Sequence, residues 1–282
     1  MQHGDAMNSK STLMVAVLAL VVGCKAAEVK PDVPPPAIPT QDLAVVSQSL
    51  TEFKLKLTGK VEFTEAFTIE KAKYELVVDE KVVKSDEAVI KVQGAANTPT
   101  DFTIEQASAY VGSADELKAM DTRGGSLLCA IRGTLYVKGE TKSYEVPFAR
   151  SREVRVPRLP HAKFQELEAG RYSEDEAGVT FHIGVNNPNP FEVKVTSIKY
   201  TVVMADKQVA DGEIGKGEKV SPSSTGVFDI EAKISGETHG PAEIKKLIKG
   251  RNLPYVIKGE LAAELFSESF EFKGVINLPA SK

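Results

Sequence analysis

Tryptophan is absent from this chain, cysteine occurs twice, and histidine occurs four times. Without tryptophan there can be no immunoglobulin core built on a Trp packed against a disulfide. Two cysteines rule out a disulfide framework or a cysteine-cluster zinc module. His3, His161, His182 and His239 are too scattered to give an HExxH or HxxxH ligand pair. No phosphate loop, dinucleotide fingerprint or Gly-x-Ser-x-Gly elbow occurs. Charge of one sign is also missing: 35 Lys and Arg face 39 Asp and Glu, a net charge of −4 that offers no basic stripe for nucleic acid. What is present is globular in proportion, 42% hydrophobic and 26% charged, which excludes a disordered chain.

The longest unbroken apolar run, Leu13–Val22, is ten residues. That is half of the ~20 needed to span a bilayer, and it fits a signal-peptide core behind the positive Lys10. Met7 opens the better signal, with Met1–Ala6 reading as an upstream extension. The run ends in Val-Val-Gly-Cys, which resembles the bacterial lipobox. That resemblance implies cleavage after residue 23 and acylation of Cys24; the alternatives are a plain signal peptide or a short anchor with an incidental cysteine. Residues 24–40 hold Pro31, Pro34, Pro35, Pro36 and Pro39, an extended tether of ~3 Å per residue. Lys25, rather than Asp, after Cys24 implies an outer-membrane lipoprotein facing the periplasm. Cys129, in the apolar run SLLCAIRGTLYV, reads as a buried, inert thiol.

The remaining chain repeats itself at an offset of 126 residues. Lys73, Tyr74, Val77, Lys81 and Val83 recur as Lys199, Tyr200, Val203, Lys207 and Val209. Leu127, Ile131, Gly133 and Leu135 recur as Leu253, Ile257, Gly259 and Leu261. The Tyr-to-Gly spacing is 59 in both copies, so Tyr74 and Tyr200, like Gly133 and Gly259, should hold equivalent strand positions. Residues 41–157 and 158–282 are read as two domains, joined by a Pro157–Pro160 link too short for a flexible hinge and expected to touch end to end.

Within each copy the hydrophobic period is two. Phe53, Leu55 and Leu57 alternate with lysines; Val179, Phe181, Ile183 and Val185 alternate with smaller or polar residues; Phe228, Ile230, Ala232 and Ile234 alternate with charges. One buried and one solvated face per strand predicts an all-β protein of two tandem antiparallel sandwiches, immunoglobulin- or fibronectin III-like, with about seven strands each. One short helix interrupts each copy. The first starts at Ser113, with Glu116 at capping-box spacing, and stops before Gly124-Gly125. The second runs from Pro241 to a stop at Gly250, with Ile244, Leu247 and Ile248 on one face.

The string FHIGVNNPNPFEVKVTSIKYTVVMADKQVADGEI, with Asn186-Asn187-Pro188-Asn189-Pro190-Phe191 at its centre, resembles the group-2 late embryogenesis abundant proteins. Their domain is called WHy, for water stress and hypersensitive response. The likeness covers Gly178 to Pro279 and extends more weakly to about 50–157, where GKVEFTEAF replaces the motif. It implies a folded, fibronectin-like domain with a protective or binding role in desiccation, and no catalytic residues. Taken on its own chemistry, the motif is a strand break. Each of Asn187 and Asn189 precedes a proline that pushes it to extended geometry, and the prolines cannot donate to a ladder. The competing reading is a ligand-binding loop.

No constellation for catalysis, a metal or another cofactor stands out. Glu174-Asp175-Glu176 lacks the alternating ligands and glycine of a calcium loop and reads as a solvated turn. Two function classes follow. One is a non-enzymatic lipoprotein, membrane-bound through its anchor, that protects protein clients under water stress. The other is a structural protein binding another envelope chain by strand addition. Lysine and glutamate at alternate strand positions guard the edges and favour the first.

Overall fold

A computed structural model of the protein describes residues 33–173 and 175–278. The signal segment 1–23, Cys24 and most of the tether lie outside the described residues.

The first run of elements is β1 (Ala37–Gln48), β2 (Glu52–Glu62), β3 (Phe67–Val78), β4 (Lys81–Gly94), β5 (Thr100–Ala109), α1 (Ala114–Arg123), β6 (Ser126–Lys138) and β7 (Ser143–Arg155). Its strands form two antiparallel sheets, in the orders β1-β2-β5 and β4-β3-β6-β7. The second run is β8 (His161–Tyr172), β9 (Glu176–Asn187), β10 (Val193–Lys194), β11 (Ser197–Met204), β12 (Lys207–Ile214), β13 (Lys219–Val220), β14 (Ser224–Ser235), α2 (Gly236–His239), α3 (Pro241–Gly250), β15 (Asn252–Ala263) and β16 (Phe266–Asn277). It forms the sheets β14-β9-β8 and β12-β11-β15-β16, with β10 and β13 as a two-stranded ribbon. Among the described residues no sheet takes strands from both runs, and from Pro35 onward the chain is one compact unit. The protein is all-β, with short helices between strands.

Period two explains the cores. Phe53, Leu55 and Leu57 of β2 are buried, as are Phe102 and Ile104 of β5 and, on the other sheet, Leu76, Ile131 and Leu135, all at most 2% exposed. Phe181 and Ile183 of β9 and Ile230 and Ile234 of β14 meet Val202, Ile257 and Ile276 in the second core. Each fully buried side chain of this size stabilises by ~1.5–3 kcal/mol relative to exposure.

Tyr74 faces Gly133 across β3–β6, and Tyr200 faces Gly259 across β11–β15. A methyl group on Gly133 would stand 2.1 Å from the Lys73 carbonyl oxygen, and one on Gly259 would stand 2.4 Å from that of Lys199. Only glycine lets the neighbouring strand approach so closely. The hairpins after these tyrosines also match. Asp79-Glu80 and Ala205-Asp206 both take left-handed backbone, as a two-residue turn matched to strand twist requires. The first two strands of each run, however, are offset by 124 residues rather than 126: Ala37 corresponds to His161 and Glu52 to Glu176.

Ser113 caps α1, its hydroxyl accepting from the Glu116 N–H at 3.3 Å. The Glu116 carboxylate reaches back one residue further than a capping box requires, to the Gly112 N–H at 2.7 Å. Pro241 opens α3, but Gly250 is not its stop; the chain turns out at Arg251, in left-handed geometry with φ 58°. The one-turn helix α2, which has no apolar period, lies just before it.

Candidate functional site

Asn186 lies opposite Thr225 and is exposed, and Asn187, opposite Ser224, is the last paired residue of β9. From there the motif alternates: Asn187, Asn189 and Phe191 point in, while Pro188 and Pro190 point to solvent. The two prolines cannot donate and deny the chain a ladder, so the asparagine carboxamides supply the missing partners. Asn187 Nδ2 donates to the carbonyls of Phe191 (2.8 Å), Val220 (3.1 Å) and Ser221 (3.0 Å). Its Oδ1 accepts from the Asn189 N–H and Nδ2, at 3.0 and 2.9 Å. Asn189 then pairs with a backbone amide far away in sequence. Its Oδ1 accepts from the Arg158 N–H at 2.7 Å, and its Nδ2 donates to the Arg158 carbonyl at 2.8 Å. The Asn189 carbonyl accepts from the Ser223 N–H at 2.8 Å. Asn187 and Asn189 are 0% and 1% exposed, and the bonds within and around the motif engage both of their carboxamides.

Arg158 lies in the link between β7 and β8, and the link is held from its other side too. Asp121, near the end of α1, accepts from Arg158 Nε at 2.7 Å and from the Leu159 N–H at 3.1 Å. Nothing local in the sequence signals this grip, because Asp121, Arg158 and Asn189 share no spacing rule.

Other candidate groups are accounted for separately. Cys129 is buried on β6, and burial pushes its thiol up to about 12, so little thiolate exists near neutrality. His182 Nδ1 stands 2.6 Å from Asp229 Oδ1 across β9–β14, and His161 Nδ1 stands 3.1 Å from Glu268. His239 is buried, with Nε2 donating to the Met204 carbonyl at 3.0 Å and Nδ1 at 2.8 Å from the Thr238 hydroxyl. It pins α2 to the end of β11, a structural role that the sequence did not flag. Among the described residues no three metal-ligating side chains cluster, and no helix is long and apolar enough to cross a membrane. The described residues include two sizeable open clefts. One of about 550 Å³ runs beside α1 and is lined by Tyr110, Val111, Met120 and Arg123. The other, of about 760 Å³, lies over Gly133, where Arg132 already pairs with Glu75 at 2.9 Å. Lys73, Asp86 and Glu87 line the second cleft as well.

These features define an antiparallel β-sandwich protein whose most elaborate polar site is an asparagine network. The family described as late embryogenesis abundant protein matches residues 182–273, a segment that starts in β9, takes in the motif and ends in β16. That matched segment is similar to the family. A crystal structure of an Archaeoglobus fulgidus protein is 14% identical, over 42% of this chain and 100% of that one, with a TM-score of 0.30. A solution structure from Arabidopsis thaliana is 17% identical, over 43% of this chain and 83% of that one, with a TM-score of 0.35. Red sea bream transglutaminase is 10% identical, over 82% of this chain and 30% of that one, at 0.25. At these scores the likenesses carry no functional argument. No curated protein matches the sequence.

Proposed function

We propose that this chain is a non-enzymatic, lipid-anchored envelope protein that protects client proteins during desiccation or a related stress. The carrying observation is the family match over residues 182–273, the half that bears the Asn-Pro-Asn-Pro-Phe motif. In this reading residues 1–23 are the lipoprotein signal, Cys24 carries lipid at the outer membrane facing the periplasm, and residues 24–40 are the tether. Residues 41–157 and 158–282 are two copies of one domain, and the motif is a structural turn. A tether raises local concentration, so weak contacts to a partly dried client suffice.

Edge chemistry supports this reading over strand addition. On the edge strand β1, Arg150 Nε and Arg152 Nη1 donate to the carbonyls of Gln41 and Leu43, each at 3.0 Å. An added strand would need those acceptors. The edge strand β4 exposes Val82, Val83 and Val89, but Lys81, Lys84 and Lys91 interleave them and two register irregularities break its pairing with β3.

The test is drying and rehydration of a labile enzyme with the full chain, at equal mass against serum albumin. Enzyme activity should survive better with this protein. Equal survival, together with a single crosslinked envelope partner, would replace the reading with strand addition. Mass spectrometry of the membrane fraction should show residues 1–23 removed and diacylglyceryl mass on Cys24.

A further inference from the structure

Three independent contacts join the two strand systems. An apolar cluster combines Leu50, Val111 and Leu117 from the first, Leu159 from the link, and Phe191, Val193, Ala263 and Phe266 from the second, with Leu50, Leu117, Val193 and Ala263 at 0% exposure. Asn189 and Asp121 grip the link from opposite sides, as described above. Glu264, in the β15–β16 turn, accepts from the Thr51 hydroxyl at 3.0 Å and, at 3.5 Å, from the Leu50 N–H.

The chain also shows the same turn without the joint. Ser49 closes the β1–β2 turn, its N–H donating to the Glu52 carbonyl at 2.9 Å and its hydroxyl accepting from the Thr51 N–H at 3.1 Å. Ser173 closes the β8–β9 turn in the same way, with its N–H on the Glu176 carbonyl at 2.8 Å and its hydroxyl on the Asp175 N–H at 3.2 Å. Where the first turn carries Leu50-Thr51, the second carries Glu174-Asp175. By sequence alignment of the two turns, Leu50 is replaced by a glutamate, a charge that could not enter an apolar cluster without a large desolvation cost.

We infer that the Asn-Pro-Asn-Pro-Phe segment is a latch. It seats the second strand system on Leu50 and α1 of the first and makes the two unfold as one cooperative unit. The default for two domains on a short link is relative motion and separate melting, unless the interface is apolar and well filled. Here, opening either system would expose Leu50 and Phe191 and would break the Asn189–Arg158 amide pair. The stability of each is therefore coupled to the other.

The experiment is a urea titration of the full chain in detergent, read by hydrogen–deuterium exchange and mass spectrometry of peptides from β3 and β6 and from β11 and β15. In the wild type both sets should lose protection at one urea midpoint, and Leu76→Ala, buried in the first core away from the joint, should lower both midpoints together. Leu50→Glu keeps the Ser49 turn, whose bonds run through backbone and the Ser49 hydroxyl and use no Leu50 side-chain atom. It should split the midpoints and confine the Leu76→Ala shift to β3 and β6. Asn189→Ala should split them too, with the second system lowered further because its own turn loses bonds. Separate midpoints in the wild type, or a single shared midpoint that survives in Leu50→Glu, overturns the latch.

Discussion

The two halves solve one problem with opposite chemistry. At the end of β2 and at the end of β9 the chain must leave its sheet, so backbone groups there lose their ladder partners. In the first half the exit is covered by rings. Phe63 meets Phe67 at 6.0 Å and Tyr144 at 5.0 Å, both edge to face, and all three are at most 8% exposed. In the second half Asn187 stands at the position corresponding to Phe63 and replaces apolar cover with bonds to three carbonyls. Both exits are buried. The ring solution seals only its own sandwich, whereas the amide solution presents a second carboxamide, that of Asn189, which can pair with any backbone amide brought beside it. The difference teaches that a sheet-end device can be neutral for the fold and still decide whether one domain grips another.

Removing each device separately is the sharpest way to break this comparison. Phe63→Ala should cost about 3–5 kcal/mol through the cavity it leaves. The loss should come mainly from a larger unfolding rate if the exit closes late in folding, which stopped-flow unfolding would show. Replacing the close-approach glycines should cost about 3 kcal/mol each, because the clash is with backbone that cannot rotate away. Gly133→Ala, facing a carbonyl oxygen at 2.1 Å, should be the worse of the two. Gly259→Ala meets the Phe270 ring at 2.3 Å, which can tilt, and the Lys199 carbonyl oxygen at 2.4 Å, which cannot, so its clash is only slightly looser. Equal losses in urea titrations would mean that the two carbonyl clashes alone decide the cost.

Asn187→Ala should cost about 2 kcal/mol, since buried carbonyls and the Asn189 N–H are left without partners. Asn187→Phe, importing the first half's residue, should not rescue it, because Val220 and Ser221 still lack donors. Rescue would show that apolar cover alone suffices at either exit.

The smallest effect is electrostatic. In the first half the Lys54 ammonium, hydrogen-bonded to Glu105 across β2–β5, holds the Glu105 carboxyl below its ordinary 4.5, with Lys56 adding to the pull at 3.7 Å. In the second half Lys273 does the same for Glu271 at 2.5 Å. A carboxylate depressed in the folded state adds stability above its unfolded pKa and loses it as pH falls through the folded value. Stability should therefore decline gently below about pH 4.5, in the sense that this linkage requires. Glu105→Gln and Glu271→Gln should each flatten the acid limb, and salt should weaken both effects because the pairs are solvated.

Period two at Phe53–Leu57, Val179–Val185 and Phe228–Ile234 was enough by itself to specify strands, their buried faces and an all-β fold, because side chains alternate across a sheet whatever lies beyond it. The spacing of 59 from Tyr to Gly likewise called for equivalent strand positions of Tyr74 and Tyr200 and of Gly133 and Gly259, while the facing of each tyrosine with its glycine came only from the strand pairing. Ser113 and Pro241 announced their helices through local backbone chemistry. Tertiary structure decided the rest. The Arg251 stop, the His239 anchor of α2, the arginines on the β1 carbonyls and the grip of Asn189 on Arg158 all join a side chain to backbone dozens of residues away, or to a conformation that the local sequence does not favour. Such bonds have no period and no spacing rule. They exist only because packed sheets bring together groups that the sequence keeps far apart.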